Sequence, residues 1–260
     1  MKNVIMPIVL VISFSTASFA GINTPIAHWT FDETSGATAH DRTGSYNGTV
    51  NSATWTTGKV NGALDFDGVN DYVNFGDIDE MEFGNSSFSI SCWFYTKGTH
   101  DTGPGNDGKN AGMLAAKYDL NAGRQWLLGQ RADGTVGFAA FYSDHSLGSK
   151  SLDSTTTYSA GQWVHCVGVV DGSQMYLYMN GVLDNSGSCL GTITGYSTNV
   201  LVGAIQSSST NFYQRFNGII DDVRVYDYAL NASEVYQLYT IPEPATLCLF
   251  ALAGLIIRKK

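Results

Sequence analysis

The chain has 260 residues, of which 43% are hydrophobic, 12% aromatic and only 14% charged, with 29 glycines and 5 prolines. That profile excludes a disordered chain and fits many short strands joined by tight turns. Setting aside the terminal segments 1–20 and 241–260 leaves 10 basic and 22 acidic residues, a net charge of −12 that repels phosphate backbones and excludes nucleic acid as a partner.

Residues 1–20 read as a secretory signal peptide. Lys2 gives the positive start, residues 4–14 the apolar run, and Ser18-Phe19-Ala20 the small residues of a cleavage site. Residues 21–240 form one domain, with no internal repeat. Residues 26–31 make a first short strand pattern, with Trp29 and Phe31 on one face. Leu64, Phe66, Val73 and Phe75 then frame Asp67-Gly68-Val69-Asn70-Asp71, an Asx-rich turn that folds by bonding its own backbone. Phe88, Ile90, Cys92 and Phe94 alternate with Ser89, Ser91, Trp93 and Tyr95, the period of a strand. A carboxylate- and glycine-containing tract at 100–107 lacks Ca²⁺-loop spacing and reads as a solvated loop. Residues 126–128 and 136–141 add two strands. Residues 163–170 add an apolar one that carries His165, read as structural. Asn180-Gly181 between alternating runs predicts a hairpin. Residues 200–204 and 218–226 bring the total to about ten strands, the profile of a sandwich or jelly roll. A short helix is predicted over 232–239. Asn231 and Glu234 form a capping box there, and Leu230 and Val235 form a hydrophobic staple.

The C-terminus reads Pro242-Glu243-Pro244, then an apolar run of 11 residues (247–257), then Arg258-Lys259-Lys260. The run is short against the roughly 20 residues of a bilayer-spanning helix. The three parts in this order resemble a PEP-CTERM sorting signal. That resemblance implies a Gram-negative, exopolysaccharide-making bacterium, an exosortase-type membrane protease as a processing partner, and transient membrane contact through 247–257. Cys92, Cys166 and Cys189 lie in the exported part, enough for one disulfide whose pairing the sequence leaves open.

Between the ends, five pieces stand in a recognisable order. They are His28-Trp29-Thr30-Phe31-Asp32-Glu33 with Ala39-His40-Asp41-Arg42-Thr43-Gly44, then residues 62–73, then Phe88-Ser89-Ile90-Ser91-Cys92-Trp93, then Gln162-Trp163-Val164-His165, and last residues 217–226 with the capped helix. They resemble the laminin-G-like members of the concanavalin A-like jelly rolls. The resemblance implies an all-β sandwich of two antiparallel sheets with one short C-terminal helix. It implies the fold more than the ligand.

Asp outnumbers Glu by 18 to 5, a bias towards turns and hard-cation ligands. Simple alternation in 218–226 puts Asp221 on one face with Ile219, Val223 and Val225, and Asp222 opposite with Arg224. A carboxylate on an apolar face needs a counter-charge or several donors. Many laminin-G-like domains bind Ca²⁺, so the resemblance implies a structural Ca²⁺ at Asp221, joined by Asp32 and Asp41 when the first and last strands pair. The alternative is a carboxylate held by backbone N–H groups. Tyr118, Tyr142 and Phe212 are candidate sugar platforms, with packing as the alternative.

Metalloprotease, serine-hydrolase, phosphate-loop and dinucleotide motifs are absent from the sequence. Asp77-Ile78-Asp79-Glu80-Met81-Glu82 loosely resembles the catalytic strand of laminarinase-type glycosidases. It begins with Asp rather than Glu, however, and reads as a loop. The reading is a non-enzymatic, exported binding module of the envelope or polysaccharide matrix, taking a polysaccharide or glycan. A glycosidase using Asp77 and Glu82, and a matrix protein without specific ligand, stand as alternatives. Protein from the native host is expected to lack both terminal segments by intact mass. Retention of Arg258-Lys259-Lys260 in the exported product would show that no sorting cleavage occurs.

Overall fold

Period-two patterning gives the chain its strands, and the turn residues between them set the sheet order. The structure is a computed structural model that describes residues 22–98, 111–121, 123–141, 149–189, 197–208 and 210–240. Residues 1–20, expected to be a signal peptide, the tract at 100–107, Tyr142, and the tail with Pro242, Glu243 and Pro244 lie outside the described residues.

The strands are β1 (Ala27–Trp29), β2 (Thr38–Ala39), β3 (Gly48–Asn51), β4 (Thr54–Thr57), β5 (Gly62–Asp67), β6 (Tyr72–Asp77), β7 (Phe88–Thr96), β8 (Ala111–Asp119), β9 (Gly123–Arg131), β10 (Val136–Phe141), β11 (Ser149–Asp153), β12 (Trp163–Asp171), β13 (Gln174–Met179), β14 (Val182–Ser188), β15 (Asn199–Val202), β16 (Ile205–Ser208), β17 (Asn211–Tyr213) and β18 (Asn217–Tyr226). One sheet runs β14-β13-β12-β7-β18-β5-β4, with β1 also paired to β18. The other runs β11-β10-β9-β8-β15-β6-β3-β2, with β16 joined to β8 and β17. Among the described residues, pairing is antiparallel apart from one parallel bridge between Gln206 and Asp119. The fold is thus the expected all-β sandwich of two sheets. It has more strands than the sequence suggests because short ones such as β2, β4 and β17 carry no apolar alternation.

The core lies between the sheets. Trp29, Phe66, Phe88, Phe94, Trp126 and Phe138 are all fully buried there. Both indoles are satisfied as well as buried. Trp29 stacks on Phe75 with ring centroids 3.8 Å apart and donates to the Tyr46 carbonyl at 2.7 Å, and Trp126 donates to the Met81 carbonyl at 3.2 Å. The predicted hairpin joins β13 to β14. Asn180 and Gly181 take φ values of 50° and 79°, the two positive angles that a type I′ turn requires.

A second apolar layer covers the outer face of the first sheet. The helix α1 (Ala232–Tyr239) starts where predicted. Asn231 accepts from the Ser233 and Glu234 amides at 2.9 and 3.1 Å, and Glu234 accepts from the Asn231 amide at 2.8 Å. Val235 and Leu238 pack with Leu230, Tyr226, Val167, Val169 and Tyr178. This cover buries residues that alternation turns away from the core. Ser89 is sealed by bonds to the Tyr228 carbonyl (2.8 Å) and the Leu230 amide (2.9 Å). Among the described residues no helix is long and apolar enough to cross a membrane.

His165 lies under the same cover, fully buried. Its Nε2 is 3.1 Å from Ser91 Oγ, and its ring lies 5.0 Å from that of Trp93. Burial pushes its pKa down from 6.5 to about 3, with the Arg224 charge acting the same way. The unfolded chain therefore binds a proton that the folded chain refuses between about pH 3 and 6.5. Stability supplied by the neutral ring is complete above that window and is lost as the pH falls through it, by up to about 1.4 kcal/mol per pH unit. Urea midpoints measured from pH 7 to pH 4 are expected to fall, and His165→Phe is expected to flatten part of that slope. An unchanged slope in the variant would contradict this assignment.

Candidate functional site

The last strand, β18, is an interior strand of the first sheet and carries the adjacent carboxylates Asp221 and Asp222. β7 pairs along one side of it. Along the other side, β5 pairs with 217–220 and β1 with 223–225. Between these two partners the register of β18 shifts, and Asp222 takes a left-handed φ of 54°. This β-bulge inserts one residue and reverses the alternation beyond it. Ile220, Val223 and Val225 therefore share the core face. Asp221 pairs in register with Trp93 on the outer side. The expectation that Asp221 shares a face with Val223 and Val225 is corrected accordingly: a bulge breaks the simple period of two.

The bulge buries two carboxylates with different partners. Asp222 accepts a hydrogen bond from His28 Nε2 and forms an ion pair with Arg224 Nη1, each at 2.5 Å. Burial holds the His28 pKa below its ordinary value, so the His28 contact is a neutral hydrogen bond near neutral pH. Burial pushes the Asp222 pKa up, but the His28 hydrogen bond and the Arg224 charge outweigh this and hold it below the ordinary value. Asp221 is 0% exposed. Its Oδ2 accepts the Val60 amide at 2.8 Å, while its Oδ1 has no hydrogen-bond partner. Burial pushes its carboxyl up to about 8. The Asp222 and Asp32 charges add to this, and the Val60 and Lys59 amides oppose it.

The loop at 58–62 is moulded onto Asp221 and Asp32. A Cβ on Gly58 would lie 2.2 Å from the Gly62 carbonyl oxygen and 2.6 Å from Asp221 Oδ2. One on Gly62 would lie 2.6 Å from the Phe31 carbonyl oxygen and 2.8 Å from Asp32 Cα. Only glycine fits at either position. The Gly62 amide donates to Asp32 Oδ1 at 2.9 Å. The orphaned Asp221 Oδ1, the Asp32 carboxylate and the Gly62 carbonyl, all on or beside the 58–62 loop, make the oxygen donors available here. Such a set fits a hard cation.

Asp41 does not belong to that set. Its Oδ1 accepts the His28 and Thr43 amides at 2.8 and 3.0 Å. Its Oδ2 accepts the Ser45 and Tyr46 amides at 3.2 and 3.1 Å, together with the Thr43 hydroxyl. Burial pushes its pKa up, but these bonds outweigh it and hold the pKa down. With both oxygens saturated, Asp41 fastens the loop after β2 to β1. Asp41 therefore drops out of the expected trio of Asp32, Asp41 and Asp221.

The Asp77–Glu82 segment is also reordered. Asp77 ends β6 rather than standing in a loop, Asp79–Met81 forms one 3₁₀ turn, and Glu82 caps it. The carboxylates of Asp77, Asp79 and Glu82 lie within 4.8 Å of one another, among the described residues the one group of three such ligands. They do not alternate along a strand. Lys117, which is fully buried, reaches across β15 from β8. Its Nζ lies 2.5 Å from Asp77, 2.9 Å from the Thr198 carbonyl and 3.6 Å from Glu82. Burial raises the pKa of Asp77, but bonds from Lys117 and Ser197 outweigh it and keep the group acidic. Lys117 was legible as a lone cation within the apolar run 113–118.

Two of the aromatic candidates are packed rather than displayed. Tyr118 is 4% exposed, clusters with Met113 and Ile205, and has Arg124 over its ring at 5.5 Å. Phe212 stacks on Tyr72 with centroids 4.0 Å apart. Neither offers an open ring face, so the platform reading is corrected for both. Asp67 accepts the Val69 amide at 2.7 Å and Asp71 accepts the Asp67 amide at 2.7 Å, the self-bonded turn expected there.

Comparison with known proteins places this arrangement. Domain 4 of an extracellular arabinanase from Geobacillus stearothermophilus, solved with arabinotriose, superposes with a TM-score of 0.59 at 22% identity, over 83% of this chain and 98% of that one. The binding domain of Paraclostridial Mosquitocidal Protein 1 gives 0.64 at 19% identity, over 83% and 51%. A Trypanosoma rangeli sialidase gives 0.60 at 15%, over 83% and 32%. Mouse (Mus musculus) pappalysin-1 is 25% identical over 112 residues, 39% of this chain and only 6% of that protein. The laminin G family model matches residues 67–236, so the chain belongs to the concanavalin A-like lectin/glucanases superfamily.

Proposed function

We propose that the chain is an exported, non-catalytic glycan-binding module of the cell envelope or polysaccharide matrix, with Ca²⁺ bound by Asp221 and Asp32 and backbone carbonyls of the 58–62 loop. The observation that carries the metal is Asp221 Oδ1, buried and without a donor. The likeness to an entire arabinotriose-bound domain supports glycan binding. The state of the Asp77 cluster supports the non-enzymatic reading. A retaining glycosidase needs one carboxyl protonated near neutral pH and one free to attack. Asp77 is ionised, as a nucleophile must be, but it is not free: one oxygen is held by Lys117 and the other by the Ser197 hydroxyl.

The cation would replace the proton that burial otherwise draws to Asp221. Its role is structural, tying β18 to the segment that follows β1. Binding to the folded state alone adds about 2.7 kcal/mol at a free ion concentration 100 times Kd. EDTA is expected to lower Tm and Ca²⁺ to restore it, while Asp221→Asn should respond little to either. In EDTA the folded state binds a proton more tightly than the unfolded one, so stability should fall as the pH rises from about 4 towards 8. Saturating Ca²⁺ should remove that slope. Identical melting with EDTA and Ca²⁺, and no ion by elemental analysis, would refute the site.

A glycan array is expected to return binding, and a β-glucan panel no release of reducing sugar. Turnover by the wild type that Glu82→Gln abolishes would overturn the non-enzymatic reading. An array blank across plant, bacterial and animal glycans would leave the structural-matrix reading in its place.

A further inference from the structure

Two thiols meet at the centre of the sandwich. Cys92 on β7 and Cys166 on β12 are register partners on adjacent antiparallel strands. Both are 0% exposed, and their Sγ atoms lie 3.5 Å apart. Directly opposed residues of an antiparallel pair have Cα atoms about 4.5 or 5.5 Å apart, depending on the pair type. Both values fall within the window of roughly 4.4–6.8 Å that disulfides span. The strands already hold the two Cα atoms at bonding range, so closing the sulfurs needs side-chain rotation only.

We propose that Cys92 and Cys166 form a disulfide in the exported protein, a covalent staple between β7 and β12, and that Cys189 takes no part in it. The oxidising compartment rests on the export reading above; the pairing geometry does not. The oxidant is a protein or small-molecule disulfide. One cysteine thiolate attacks it and expels a thiolate, giving a mixed disulfide. The second cysteine thiolate then attacks the cysteine sulfur of that mixed disulfide and expels the other thiolate. Two cysteine thiols are oxidised, one external disulfide is reduced to two thiols, and the cysteine protons pass to the released thiolates.

The order of events follows from burial. In the folded core, burial and the neighbouring Cys92 push the Cys166 thiol well above its ordinary pKa, which leaves almost no thiolate to react. Oxidation therefore belongs to folding, after β7 and β12 pair and before the second sheet closes over them. Once formed, the bond is sealed from reductants by the same burial. It also closes a long loop, since the two cysteines are 74 residues apart in sequence.

The test uses the full chain, refolded from denaturant in a glutathione redox buffer. It is then denatured again without reductant, alkylated with iodoacetamide and mapped by peptide mass. Cys92 and Cys166 are expected unlabelled and joined in one cross-linked peptide, with Cys189 and Cys248 labelled. Reductant should lower the urea midpoint of the wild type and leave that of Cys92→Ala/Cys166→Ala unchanged. Labelling of all four cysteines, or linkage through Cys189, would overturn the pairing. The same mapping on protein from the native envelope separates the two supports. A bond formed in vitro but free thiols in the exported protein would refute the compartment, and with it the proposal; free thiols in both would refute the geometry.

Discussion

The rest of the domain depends on how β18 handles its bulge. A single extra residue at Asp221–Asp222 lets one strand exchange partners along one edge, from β5 to β1, without leaving the sheet. Such an exchange opens a gap in the ladder, and the gap must be filled by groups that bond the exposed backbone. The structure fills it with charge. Asp222 pairs with Arg224 from its own strand and accepts a hydrogen bond from His28 on β1, which locks the first strand against the last. Asp221 instead turns to the 58–62 loop, whose glycines let the backbone close on it. The two neighbouring carboxylates thus do different work: Asp222 is a carboxylate paired with Arg224, while burial draws a proton onto Asp221.

The two apolar layers explain why polar residues sit so deep around this junction. One layer lies between the sheets and the other under α1, and β7 and β12 are sandwiched by both. Residues that alternation sends away from the core, such as Ser89, Ser91 and His165, are therefore as buried as those sent into it. Each must find a partner in the protein, and the serines do so through hydroxyls short enough to reach a neighbouring backbone or ring. An exposed outer face would have left the same residues solvated and unremarkable.

What the sequence made legible was local. The Asn180-Gly181 turn, the Asn231–Glu234 box and the alternation of Phe88 to Tyr95 each depend on residues within a few positions of one another, and each is found as read. Asp221 and Asp32 were legible as candidates because carboxylates in those contexts need explaining. Local patterns mislead where distant segments decide the outcome. A bulge carries no reliable signature in a run such as Ile219-Ile220-Asp221-Asp222-Val223, so the face of Asp221 was read from a period that the strand does not keep. Asp41 looks like a ligand until the amides of His28, Thr43, Ser45 and Tyr46 converge on it. Tyr118 and Phe212 look like platforms until the β16–β17 hairpin brings Ile205 onto one and Tyr72 meets the other. Lys117 became meaningful only when Asp77 and Glu82, some 35 to 40 residues earlier, were seen beside it.

Pairing β1 with β18 also has a kinetic side. The first described strand finds its partner almost 200 residues later in the chain, as the separation of 194 between His28 and Asp222 records. Contacts of that span raise the contact order and slow folding, because a long loop must close before any of them forms. A chain emerging from its N-terminal end cannot complete this junction until nearly all of it is available. Until then His28, Asp41 and the 58–62 loop lack the strand that fixes them, and early domain closure is disfavoured. The topology itself holds the sandwich open until its last strand has arrived, so the domain closes late and as a whole.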